Sequence, residues 1–216
     1  MNNNFPSTHI PRRIAVFAIV VLGLTPLGAA PIAQGDRDRI LSELHASRKM
    51  FLDSLAGISQ AQWTFKAAPE RWSIQETAEH IASAEPFLRG LIVEQIMKSP
   101  ANPEMAATRA PGNSAGNEAV LKGVNDRSQK AQAPEPIQPK GIYADPKAAI
   151  AVFDKERDTT LDYIRDTRDD LRVHFFKGPG GGEMDGVQWM MLLAGHTERH
   201  VQQIQEVKQS PNYPKK

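Results

Sequence analysis

The segment "LLAGHTERHVQQIQEV", Leu192 to Val207, carries His196 and His200 four residues apart. On a helix that spacing puts both rings on one face, with β-carbons about 6 Å apart. Two such imidazoles can reach one cation. Trp189, Leu193 and Ile204 share the face, which therefore points inward rather than to solvent. Inward imidazoles need polar partners, because burying each without one costs about 2 kcal/mol or more. A metal ion meets that need for both rings, but ordinary neighbours could also meet it, and the pair alone does not decide.

A third ring shifts the balance. His80 stands in "SIQETAEHIASAE" beside Thr77, Ile81 and Ala84, again on a core-facing side. Three histidines from two inward faces match the way helical bundles build metal sites. Three neutral nitrogen ligands also leave a coordination position open. The expected ligands of a divalent metal ion are His80, His196 and His200; the competing reading is three core histidines. Of the six histidines, His9 falls in the first segment, and His45 and His174 read as surface or boundary residues.

"HTERH" looks like the HExxH of metalloproteases, but Glu198 is two residues from His196 and is turned by about 200° around the helix. It cannot be the ligands' general base, and no catalytic residue is assigned. Glu76, one turn before His80, is either a carboxylate that orients the ring or the partner of Ser73 in a capping box. Gln203, three after His200, either hydrogen-bonds that ligand or packs. Arg157 interrupts an apolar stripe and either contacts an anionic substrate or pairs with a carboxylate. Met190 and Met191 read as core filling. "GPGGGEMDG" lacks the strand and the Lys-Ser/Thr ending of a phosphate loop.

These residues need elements to hold them. Ile40, Leu44, Phe51 and Leu55 recur near a period of 3.6 and predict a helix over Asp36–Ala56, stopped by Gly57. The second long helix starts at the Ser73 cap and runs to about Lys98, with Pro86 expected to kink it. Residues 99–145 are rich in Pro, Ala, Gly and Asn and read as a long crossing, with a short helix over Asn117–Ala131. Asp145-Pro146 opens the third long helix, and Asp185 caps the fourth, which runs to Lys208. The predicted fold is all-α: a four-helix bundle with a long crossover connection between helices 2 and 3.

At 216 residues the chain suits one domain. Arg12 and Arg13 followed by an apolar run from Ile14 to Leu24, then small residues, have the pattern of a secretory signal. Its h-region is too short to span a bilayer; the competing reading is an uncleaved amphipathic or membrane anchor. The expected division is a signal over 1–35, cleaved near Gly35, a bundle over 36–210, and a disordered tail over 211–216. Cleavage after Ala30 is disfavoured by Pro31. The predicted location is periplasmic or secreted, with no stable membrane insertion after cleavage. The chain has no cysteine, which excludes a disulfide or a lipoprotein anchor. Removing residues 1–35 moves the formal charge from +1 to −1, since Arg12 and Arg13 leave and no acid does. A near-neutral domain without basic runs lacks the footprint of a nucleic-acid binder.

The stretches "LAGISQAQWTFKAAPERWSIQETAEHIASAE" and "MLLAGHTERHVQQIQEVK", with "DRSQKAQAPEPIQPKG" and "ERDTTLDYIRDTRDDLR" between them, resemble the DinB-like (YfiT-like) superfamily of metal-dependent bundles. The likeness spans about residues 38–208. It implies an up-down-down-up bundle and a three-histidine site, commonly nickel or zinc, on His80, His196 and His200. It also implies homodimers and, despite the family's DNA-damage name, no DNA contact. Some branches use a low-molecular-weight thiol; others are taken as hydrolases. The expected function is therefore a metal-dependent hydrolase or thiol-dependent transferase acting on a small molecule. The alternative is a non-catalytic bundle that binds a metal or ligand.

Overall fold

A computed structural model describes Met1 and residues 31–215. Residues 2–30, most of the signal expected over 1–35, lie outside the described residues. Four long helices carry the fold: α1 (Gln34–Leu55), α3 (Ile74–Leu91), α6 (Pro146–Asp166) and α7 (Gly186–Lys208). A four-residue helix, α2 (Gln60–Trp63), lies between the first two. Two short helices, α4 (Pro103–Ala107) and α5 (Ser114–Asn125), punctuate the crossing from α3 to α6. Among the described residues no helix is long and apolar enough to cross a membrane.

Local chemistry sets the helix ends. Ser73 and Glu76 form a reciprocal capping box at the start of α3, and Asp185 and Gln188 form another at α7. Asp145 accepts from Ala148 N ahead of Pro146 in α6. Past Pro86, α3 continues to Leu91 and then widens into a π turn over Ile92–Ile96, closed by Met97 N donating to Ile92 O. The crossover helix α5 stops at Asn125, short of the expected Ala131. There Asp126 turns extended and its carboxylate accepts from Ser128 N and Oγ. A two-stranded antiparallel hairpin, β1 (Phe175–Lys177) with β2 (Glu183–Asp185), pairs Phe176 with Met184. It occupies the glycine-rich break read from the sequence.

The packing gives the chain directions. Arg37 reaches the carbonyls of Ile164, Arg165 and Thr167, while Arg48 pairs with Asp154 and Asp158, so α1 and α6 run antiparallel. Lys208 donates to Ser54 O at one end of the bundle and Arg172 joins Asp36 to Asp185 at the other, so α1 and α7 run parallel. Because α3 is antiparallel to α7, the order is up-down-down-up. Each of α1 and α3 packs on both α6 and α7. The two therefore face each other across the diagonal, although they are consecutive long helices. Helices α3 and α6 are parallel neighbours, so the chain must return along the bundle between them, and the long crossover makes that return.

The core has two apolar clusters. One gathers Ile40, Leu44, Ile92, Leu161, Ile164 and Met190; the other gathers Phe51, Trp63, Ile74, Phe153, Val201 and Ile204. Between them lies a polar layer built on Arg157 and Glu85. Helix α5 packs closely on α7 because Gly195 has no side chain: a β-carbon there would sit 2.4 Å from Val124 Cγ1. Arg199 then holds the end of α5, donating to the carbonyls of Val124, Asp126 and Gln129.

Both chain ends differ from the expected division. Ile32 is buried in the first cluster and its N–H donates to Asp169 O, so the fold begins before Gly35, which lies within the first turn of α1. After α7 the chain also packs. Tyr213 meets Phe65 edge-on at 5.6 Å, and Pro214 O accepts from Gln62, because α2 offers a donor and the turn just after it an aromatic.

Candidate metal centre

His80 sits two turns into α3, where the capping box has fixed the helix start. Its ring nitrogen Nε2 lies 3.2 Å from Nε2 of His196 on the antiparallel α7. His200 follows one turn later, with its ring centroid 4.4 Å from that of His80 and 4.5 Å from that of His196. One ligand atom from each ring lies within 4.8 Å of the other two. Zinc–imidazole bonds of about 2.0–2.1 Å place tetrahedral ligand nitrogens about 3.3 Å apart, close to the His80–His196 separation. Two nitrogens at that distance repel unless a proton or a cation lies between them.

The protein also selects tautomers. His80 Nδ1 donates to Ile137 O at 2.7 Å, and His200 Nδ1 donates to the Gln203 side-chain oxygen at 2.9 Å. With both Nδ1 atoms protonated, both Nε2 atoms present lone pairs. Burial keeps the rings neutral. It pushes His200 down to about 3, lowers His80 against the opposing effect of the Ile137 bond, and holds His196 well below its ordinary value, helped by the other two rings. Neutral imidazole is the form a metal binds. The donor set fits a divalent ion.

Of the remaining sequence candidates, Gln203 is at the site and orients His200. Glu76 is not. Its carboxylate accepts from Ser73 N at 2.8 Å and pairs with Lys66 at 2.9 Å, which corrects the reading in which it orients His80. Arg157 is likewise closed to a substrate. It is fully buried and bonds Leu44 O, Ser47, Glu85 and Thr197, so the carboxylate pairing is the one the fold uses. Glu198 turns to Asn125. His45 is exposed, and His174 bonds Ser99 O at the hairpin.

Sequence reasoning missed three participants. The Ile137 carbonyl comes from the crossover, and a backbone acceptor leaves no mark in a sequence. Trp72 lays its ring 4.9 Å from His80 and nearly parallel to His200 at 6.1 Å. Its place directly before the Ser73 cap is the signal that could have found it. Glu79, next to His80, is buried and accepts three backbone N–H groups from the crossover.

The DinB superfamily profile matches residues 43–204, which includes all three histidines. The chain belongs to the DinB superfamily. This DinB-superfamily chain is 21% identical to the uncharacterized protein YuaE of Bacillus subtilis (strain 168) over 169 residues, covering 78% of this chain and 97% of that protein. Among solved structures it is similar to YfiT of Bacillus subtilis, described as a probable metal-dependent hydrolase with an unusual four-helix bundle topology. The TM-score is 0.51 at 13% identity, over 88% of this chain and 97% of that one. At that identity the likeness establishes the fold alone.

Proposed function

We propose that this DinB-superfamily protein holds one divalent metal ion, zinc or nickel, on His80, His196 and His200 and works as a metal-dependent hydrolase. The observation that carries this reading is the convergence of three neutral imidazoles, two of them with Nδ1–H tied off so that Nε2 is free to ligate. An ion there supplies Lewis acidity and a nucleophile at neutral pH. The chain's own residues do the positioning. Ile137 O and Gln203 fix two ring orientations, and Trp72 shields the His80 and His200 edges from water. YfiT's description as a metal-dependent hydrolase supports the same chemistry. A thiol-dependent transfer would use the same ligand set with a small thiol as nucleophile.

A second reading, a non-catalytic metal-binding bundle, is favoured by the carboxylates that neighbour the histidines along α3 and α7. Glu76, Glu79, Glu198 and Glu206 are all committed to hydrogen bonds or ion pairs within the fold. The two readings separate in one experiment. The protein is stripped with a chelator and reloaded with zinc or nickel, bound ion is measured by mass spectrometry, and ester, amide and thiol-conjugate panels are assayed. The hydrolase reading expects one ion per chain and turnover that disappears in His196→Ala. One ion per chain with no turnover favours the second reading, and no bound ion rejects both. We further propose that Arg12, Arg13 and the apolar run after them direct export, and that the protein acts as a homodimer on a small molecule; cell fractionation and sedimentation test these two points.

A further inference from the structure

We propose that Glu79 is a positioning residue for the metal centre. Its carboxylate gathers three backbone N–H groups of the crossover and so fixes the Ile137 carbonyl that orients His80. Its Oε1 accepts from Lys140 N at 2.8 Å, and its Oε2 accepts from Gly141 N at 2.6 Å and Ile142 N at 3.0 Å. Glu79 is 3% exposed, and among the described residues no ion pair reaches it; its charge is met by the three backbone N–H groups. Consecutive N–H groups converge on one anion when a residue among them takes the left-handed conformation. Gly141 supplies it, with φ of 74°.

The connection to the ligand is short. Ile137 lies three residues before Lys140, with Pro139 stiffening the stretch between them, and its own side chain is buried. Gln75, one helical turn before Glu79, adds bonds to Gly141 O and Tyr143 O, and Trp63 Nε1 reaches Tyr143 O as well. The crossover is thus stapled to the helix that carries His80, and the strongest staple is the residue directly before that ligand. Because Glu79 and His80 share one rigid helix, the carboxylate sets where Ile137 O sits relative to the ring. That carbonyl holds the proton on Nδ1 and leaves Nε2 to the metal. A carboxylate suits the role because it only accepts; a glutamine would turn an NH2 group toward N–H donors.

The affinity part of this inference rests on the metal-centre reading, whereas the orientation part does not. The test uses the full chain in four forms: wild type, Glu79→Gln, Gly141→Ala and Leu161→Ala. The last is a destabilised control in the opposite core cluster. In the metal-free proteins, nitrogen-15 shifts of the histidine rings report the His80 tautomer; zinc affinity is then measured by competition with a chromophoric chelator. Glu79→Gln and Gly141→Ala are expected to lose the fixed Nδ1–H tautomer of His80 and to bind zinc about 10- to 100-fold more weakly. Leu161→Ala should keep both properties while melting earlier. A folded Glu79→Gln with the wild-type tautomer and zinc affinity within about twofold overturns the proposal. If wild type takes no zinc, the metal-centre reading fails and the tautomer comparison alone decides on Glu79. If Glu79→Gln does not fold, Gly141→Ala decides, since it disturbs the N–H cluster with the carboxylate intact.

Discussion

Arg157 and Glu85 meet at the centre of the bundle, Nη2 to Oε2 at 2.8 Å, both shut off from solvent. The layer they organise touches every long helix. Arg157 on α6 also bonds Leu44 O and Ser47 on α1 and Thr197 on α7, while Glu85 on α3 accepts from Thr160. Removing one charge strands the other. Arg157→Ala is therefore expected to destabilise the fold by about 3–5 kcal/mol. The double replacement Arg157→Met with Glu85→Leu should restore most of that loss, since no unpaired charge remains. Urea unfolding of the three proteins measures it; a single variant losing under about 1 kcal/mol would show that water reaches the pair.

The triad makes the metal-free protein acid-sensitive. In the unfolded chain each histidine takes up a proton near 6.5, whereas in the fold burial lowers all three, His200 to about 3. Below 6.5 the unfolded state binds more protons than the folded one, so stability falls as pH falls and is level above that point. Each histidine that stays neutral contributes a slope of about 1.4 kcal/mol per pH unit inside the window. Thermal melts of stripped protein between about pH 7.5 and pH 5 should show this decline, reduced in His200→Gln. An equally steep profile in that variant would place the proton uptake elsewhere.

The sequence carries most of this fold because caps and apolar periodicity are local signals. Ser73 with Glu76, Asp145 with Pro146, and Asp185 each start a long helix within reach of their own side chains. The three histidines could be read from their helix faces alone. What stayed hidden depends on contacts across the chain. The His80 partner is a backbone carbonyl 57 residues away, and the Arg157 partner is Glu85, 72 residues away. Arg157 reads equally as ligand contact or ion pair until both helices are placed. Helix α4 and the hairpin are too short to show a period. The buried role of Ile32 was masked because the small residues around it resemble a cleavage site.

Trp72 should report the metal directly. Its ring lies 4.9 Å from His80 and 6.1 Å from His200, whereas Trp63 donates to Tyr143 O and Trp189 lies in the cluster at the other end of α7. Copper(II) or cobalt(II) bound at the triad is expected to quench tryptophan emission, with saturation at one ion per chain. Trp72→Phe should remove most of the quench and Trp189→Phe little of it. A quench that survives Trp72→Phe would put the ion away from the three histidines.

The start of the folded domain is open to an equally direct test. Ile32 is 5% exposed, packs in the first core cluster and donates its N–H to Asp169 O. Burying a side chain of that kind contributes about 1.5–3 kcal/mol. A chain beginning at Pro31 is therefore expected to be more stable than one beginning at Asp36 by about that amount, since the second also loses the first turn of α1. Urea unfolding of the two purified chains measures the difference. Equal stability would mean that Ile32 adds nothing to the core, and that processing after Gly35 would leave the domain intact. A deficit in the shorter chain would instead mean that any cleavage compatible with the full fold lies before Ile32.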